Sequence, residues 1–262
     1  MEGEFNALRS GMFAGILLLM LVIERVWPKR RQIVPAWPRL STNLGLIVID
    51  TLLVRLLLPL TVVGTAVWAA QQSWGLFNQV QLPPALELVA ALLILDLAIY
   101  LQHRAAHHFT WFWRIHRVHH ADPRFDTTTG IRFHPLEIII STVYKMLLVV
   151  LLGPSAIAVL IFEIVLNGTS LFTHTNVALP RKLDAVLRLL IVTPDVHRVH
   201  HSHLSPETNS NFGFNLTVWD RLFHTWKEQP DRGHAAMDIG LPEYSGDRPT
   251  HLGWCLWLPF TK

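Results

Sequence analysis

Ten of the chain's fifteen histidines fall in two short stretches, HRAAHHFTWFWRIHRVHH (His103 to His120) and HRVHHSH (His197 to His203). Within them the unit His-x-x-His-His occurs twice, at His116/His119/His120 and at His197/His200/His201. Positions i, i+3 and i+4 of an α-helix share one face, so each unit is expected to point three imidazoles at one place. His103 and His107, at i and i+4, do the same one element earlier. Neutral imidazole carries a nitrogen lone pair near physiological pH and is the commonest metal-binding side chain. A packed core gains little from eight such groups, because burying a polar group without a partner costs ~1–3 kcal/mol. Any fold of this chain therefore has to bring its two histidine stretches together around metal.

The rest of the chain is strongly apolar, 51% hydrophobic with 16% charged residues over 262 positions, against roughly 25% charged in an average soluble domain. A membrane-spanning helix needs ~20 mostly apolar residues. Five runs approach that length: Met12–Trp27, Leu44–Ala70, Leu82–Leu101, Leu136–Leu152 and Ser155–Phe172, the last two separated by Gly153-Pro154. The expected fold is all-α, an integral membrane bundle of four to five spanning helices with a helical cap carrying the histidines. The start is acidic (Glu2, Glu4) and no small-residue cleavage site follows, which argues against a cleavable signal peptide.

Charge orients the stack. Lys29, Arg30, Arg31 and Arg39 share one loop, residues 71–84 carry no charge, and Arg104, Arg114, Arg117, Arg124 and Arg132 follow. The positive-inside rule puts the basic regions, and with them the histidine cap, on the cytoplasmic side. Leu44–Ala70, kinked at Pro59, reads as one tilted span or a re-entrant hairpin; a hairpin would split the basic loops between two sides, so a single crossing is preferred. The net charge of +3 gives no case for nucleic-acid binding. We expect one membrane domain over 1–262, with spanning helices in 1–95, the histidine region in 96–226 and a tail over 227–262. Ala185–Val192 reads as an interfacial helix, and Leu252–Phe260 as an apolar tail on the membrane or the core.

Ligand counting narrows the chemistry. Cys255 is the lone cysteine, so histidine, with carboxylate or water, must hold any metal. One ion needs about four ligands. His103, His107, His116, His119, His120, His197, His200 and His201 exceed that need, and two ions sharing them is the economical reading. His174, in FTHTNV, is placed to join them. His134, in RFHPLE, reads as a ligand or a structural hydrogen-bonder, and His108, about 100° round the helix from His107, as a neighbour of the site or a surface residue. Asp96 is in register with Tyr100, His103 and His107; it is expected to hydrogen-bond an imidazole or another polar group between helices. Asp195, two residues before His197, is the other carboxylate expected to orient an imidazole. Asp122, Asp126, Glu137, Glu207 and Asp220 are expected to orient imidazoles or to anchor arginines such as Arg132 and Arg221, a surface salt bridge being the preferred reading for each.

The series HRAAH, WRIHRVHH, RFHPLE, FTHTNV and HRVHHS, followed by NFGFNLTVWDRLFHT, resembles the membrane fatty acid hydroxylase/sterol desaturase superfamily from about Asp96 to Trp226. The resemblance implies a non-haem di-iron enzyme that uses O₂ to hydroxylate or desaturate lipid C–H bonds. It makes His103 and His107 the first histidine box, His116, His119 and His120 the second, His197, His200 and His201 the third, and His174 an additional ligand. Two iron ions come from the resemblance alone, since imidazole equally suits zinc, copper or nickel. No flavin, haem or dinucleotide motif is visible, so an external electron donor of reductase, cytochrome or ferredoxin type is implied, with a lipid reaching the site from the bilayer. One departure is His224, where WDRLF is commonly followed by glycine. The competing expectation is a histidine-rich membrane protein that binds or transports metal without oxygenase activity. A zinc protease would need His-Glu-x-x-His, which is absent.

Overall fold

The computed structural model describes residues 2–31, 36–80, 82–244 and 246–261. Among them the chain is helical, with isolated bridges (Pro28 with Val177, Ile191 with Leu216, Ser202 with Ile239) and no strand. The spanning layer is built from α1 (Glu2–Val26), α2 (Ala36–Leu57), α3 (Val62–Gln71), α4 (Leu76–Gln79), α5 (Pro84–His108), α7 (Pro135–Leu152) and α8 (Ala156–Thr173). The cap is built from α6 (Thr110–His120), α9 (Arg181–Leu187), α10 (Pro194–His200), α11 (Ser205–Thr208), α12 (Val218–Leu222), α13 (Gly233–Ala236) and α14 (Leu252–Trp257). Five segments are long and apolar enough to cross a bilayer, and their outward faces carry exposed leucines such as Leu18, Leu56 and Leu151. A belt of that kind matches lipid and makes the chain a multi-pass membrane protein.

Sequence punctuation sets the breaks. Pro59 interrupts α2 and α3, and α3 restarts with Thr61 capping the Gly64 amide at 2.9 Å. Pro135 occupies the first turn of α7 behind the His134 cap, and Gly153 closes that helix in the left-handed region. Gly75 and Gly153 meet backbone to backbone: a Cβ on Gly75 would lie 2.2 Å from the Gly153 amide nitrogen. That contact places the end of α3 beside the α7–α8 turn, and Ser155 N–H donates to Glu87 at the start of α5 across the same end. The start of α2, by contrast, is tied to the cap through Arg39. Residues 36–71 therefore cross the bundle once, from the cap to the opposite end, and a re-entrant hairpin is excluded. The layer coheres through apolar seams: Val62, Val63 and Ala66 against Val149, Val159 and Leu160, and Leu95 and Ile99 against Phe162 and Leu166.

The cap differs from the sequence reading in one place. The helix expected over Ala185–Val192 lies earlier, at Arg181–Leu187, because Pro180 starts it and Asp184 occupies its first turn. The tail is split by face: Cys255 and Leu258 pack on Leu46 and Val118 in the core, while Trp257 and Phe260 are exposed.

Two buried arginines fasten the cap to the membrane layer. Arg39 is held by Asp122 and Asp126 through four N–H···O bonds and donates a fifth to Thr129. Arg132 donates to the carbonyls of Val118 and Pro249 and to Asn43. The carboxylates Asp122 and Asp126, which the sequence suggested as surface salt-bridge partners, are thus interior. Burial alone would raise the Asp122 carboxyl, but Arg39 and Arg132 outweigh it and hold it below the usual carboxylate range. A carboxyl so lowered contributes stability that is complete above its unfolded pKa of ~4 and lost as pH falls below it. Arg39→Leu leaves buried carboxylates uncompensated and is expected to cost ~3–5 kcal/mol. In detergent, its thermal midpoint should fall well below wild type at pH 7, and the gap should narrow toward pH 3; a gap independent of pH would refute this assignment.

Candidate metal centre

Four elements deliver the histidines to one buried volume. The cap-side end of α5 brings His103 and His107; Phe109 breaks the chain into α6, which carries His116, His119 and His120. His174 ends α8. Pro194 starts the short helix α10, which brings His197 and His200, with His201 at its end.

The nine imidazoles sort into two groups. His103, His107, His116, His120 and His200 form one; His119, His174, His197 and His201 form the other, with the ligand atoms of each group within 4.8 Å of one another. The split corrects the expectation that each His-x-x-His-His unit aims at one place. His116 and His120 face the first group while His119 faces the second; His197 and His201 face the second while His200 faces the first. Positions i+3 and i+4 differ by 100° around a helix, so adjacent histidines straddle two centres. The groups share a wall, with the His120 and His201 rings stacked at 4.6 Å between centroids.

Second bonds fix the rings. The Nδ1 atoms of His103 and His200 meet the carbonyls of Phe212 (2.8 Å) and Ser210 (2.7 Å). Those of His119 and His174 meet the carbonyls of Arg132 (3.1 Å) and Ser170 (2.7 Å). His116 Nδ1 meets the Glu137 carboxylate at 2.7 Å. A neutral ring that donates from Nδ1 presents its Nε2 lone pair on the other side. The Nε2 atoms of His103, His116 and His200, and both nitrogens of His201, are buried without a partner. Three Nε2 pairs stand 3.1 Å apart: His107 with His120, His119 with His174, and His174 with His197. Neighbouring ligands each ~2.1 Å from a shared ion are separated by about this much. Burial pushes His174 down to about 4 and His200 to about 3. The donor set is all nitrogen and gathered at two centres, which fits two metal ions.

The loop after α11 is the scaffold for half of this orientation. Asp220 accepts from the amides of Phe212 and Gly213, both at 2.8 Å, and from Thr225. Gly213 is required there, since a Cβ would sit 2.7 Å from Asp220 Oδ2 and from the Leu216 carbonyl. Asp220 therefore holds the carbonyls that orient His103 and His200, a role its sequence context concealed. Glu137 was likewise read as a surface partner and is buried against His116. His224 lies in the left-handed region (φ 57°), where glycine is the easy occupant, so the family's glycine answers a backbone requirement that this chain meets with histidine.

Four sequence-suggested residues stand elsewhere. Asp96 accepts from Asn215 and Trp219, both at 2.8 Å, and contacts no imidazole; of its two expected roles it takes the pairing one, steadying the same loop. Asp195 binds Lys29 and Arg198 and faces His234, so it does not orient His197. His134 caps α7 and pairs with the Leu256 carbonyl at 3.2 Å, outside both groups. His108 is exposed beside Phe109. Beneath the first group, His103, His116 and Glu137 line a cavity of about 670 Å³ that runs into the bundle between α1, α2, α5, α7 and α8.

Comparison with known proteins bears on this arrangement. The sequence model of the fatty acid hydroxylase family matches residues 88–225. Among curated proteins, ornithine lipid hydroxylase of Rhizobium tropici is 33% identical over 62% of this chain and 47% of its own length. Alkylglycerol monooxygenases of Danio rerio and Homo sapiens are each 30% identical, over 61% and 55% of this chain and 35% and 31% of theirs. The chain thus spans less than half the length of these relatives. No solved structure matches it.

The Glu137–His116 bond yields a quantitative expectation. Glu137→Gln should weaken metal retention in the first group about 10- to 100-fold, read by chelator competition on the purified protein. Retention in the second group should not change. Equal retention by wild type and variant would show that the carboxylate has no part in holding the ligand.

Proposed function

The chain belongs to the fatty acid hydroxylase family, and on that premise we propose that it is a membrane-bound di-iron oxygenase acting on a lipid C–H bond. The observation that carries this reading is the pair of adjoining all-histidine groups with partnerless buried nitrogens, one of them opening on a cavity inside the membrane layer. His103, His107, His116, His120 and His200 would hold one iron, and His119, His174, His197 and His201 the other. Iron bound there supplies the redox change and O₂ activation that breaking an unactivated C–H bond requires, whereas zinc has no redox chemistry.

The protein's own share is positioning and exclusion of water. Phe212, Ser210, Arg132, Ser170 and Glu137 fix the rings, so little reorganisation accompanies turnover. Phe112, Ile131 and Phe133 supply apolar lining to the cavity that His103 and His116 also line. Hydroxylation is favoured over desaturation, because the relatives are named hydroxylase and monooxygenase. By the same names the substrate class is a polar membrane lipid. Each turnover consumes O₂, two electrons and two protons, and the electrons come from a separate donor protein. The basic cap and the uncharged loop at the opposite end of the bundle favour a cytoplasmic site.

Purified protein is expected to carry about two irons per chain, and His119→Ala and His200→Ala about one each, since they empty different groups. With a reductase system and ¹⁸O₂, lipid extracts should gain one ¹⁸O atom. Iron content near zero, or product oxygen drawn from water, would sink the proposal.

A further inference from the structure

The cavity is not the smooth apolar tunnel that a plain hydrocarbon chain would need. Asp50, on α2, lines it, is 5% exposed, and has an Oδ1 atom buried without any partner. Glu163, by contrast, takes Lys145 at 2.8 Å and Arg9 from α1, and Glu137 holds His116 through Oε1, its Oε2 lacking a partner. Asp50 makes no such pair, and Arg55, five residues along the same helix, lies about 140° round it. An ionisable group left unmatched within a membrane bundle is a functional position by default, and its missing partner is one that donates hydrogen bonds.

The way in is visible as well. α1 packs on α8 and α2 packs on α7, and the cavity wall between them includes Ser10, Thr51 and Arg55, which are exposed. The cavity therefore opens sideways between α1 and α2, toward the bilayer, with Asp50 inside that opening.

We propose that Asp50 is the recognition site for a hydrogen-bond-donating polar group, a hydroxyl or an ammonium, on a lipid that enters between α1 and α2. The substrate is then a lipid with a free hydroxyl or amine and not a bare acyl chain. The proposal deepens the oxygenase reading and rests on it for its biological meaning, although the binding itself is measurable without turnover.

The test is displacement of a fluorescent alkyl probe from the protein in nanodiscs by three lipids of one chain length. These are a 1-O-alkylglycerol, the same alkylglycerol with both hydroxyls methylated, and the corresponding primary alkylammonium. At least one donor-bearing lipid is expected to displace the probe at about tenfold lower concentration than the methylated ether, and which one does so identifies hydroxyl or ammonium. Asp50→Leu should bring the ratio close to one. Asp50→Asn, which keeps an accepting carbonyl and guards against misfolding of the leucine variant, should retain part of it. Equal displacement by free and methylated lipids, or a ratio unchanged in Asp50→Leu, overturns the proposal. If discrimination is seen but the iron-loaded protein oxidises none of the three, the binding site stands and the oxygenase reading falls.

Discussion

Nine imidazoles in one buried volume are tolerable only when their nitrogens have a use. Where a backbone carbonyl or carboxylate accepts a hydrogen bond from Nδ1–H, Nε2 is left as a lone pair. A buried polar atom left in that state costs ~1–3 kcal/mol. Repeated over His103, His116 and His200, the penalty is one that a bound ion would relieve. The outer bonds thus do more than orient rings: they make the inner atoms available to metal and to little else.

That constraint explains the architecture of the cap. The carbonyls of Phe212 and Ser210 belong to a loop that would not keep its shape alone. Asp220 pins it from within, and Asn215 and Trp219 tie it to Asp96 on α5. On the other side, Arg132 presents its carbonyl to His119 while its guanidinium is fastened to Val118, Asn43 and Pro249. The polar interior is therefore one connected body, in which ion pairs such as Arg39 with Asp122 hold the membrane helices to the frame that aims the ligands. Cooperative networks of this kind rigidify when fully satisfied.

How much of this could be read from the chain follows from the range of each signal. The spans were legible because a helix that faces lipid repeats apolar residues over its whole length, and the breaks at Pro59 and Gly153 are local chemistry. The histidines were legible because their spacing is a property of one helix. Their division between two centres was not, because the geometry of a single helix states only that His119 and His120 lie 100° apart, and not that something stands on either side. Among the carboxylates, Asp122 anchors an arginine as expected but in the interior, Glu137 takes the imidazole-orienting alternative, and Asp220 accepts from backbone amides; in each case the partner is set by tertiary placement. Asp195 shows the converse, since nearness to His197 in sequence proved weaker than Arg198 one turn along the helix. His224 stands at a position whose backbone lies in the left-handed region, a requirement suited to glycine that no side-chain pattern encodes.

The position of the cavity completes the relation between membrane and chemistry. α5 and α8 run from the opposite end of the bundle to the cap and finish at His103, His107 and His174, so the same helices that line the cavity also carry histidines of both groups. The cavity thus leads from between the spanning helices to His103 and His116. The first group faces the cavity through these two histidines, while His119, His174, His197 and His201 are absent from its lining. The two centres are thus unequal in environment despite their like ligands. One is exposed to whatever occupies the cavity; the other lies behind it, enclosed by Phe125 and the cap. Asymmetry of this kind is what a site needs when one face must meet an apolar C–H bond and the other must stay isolated from it.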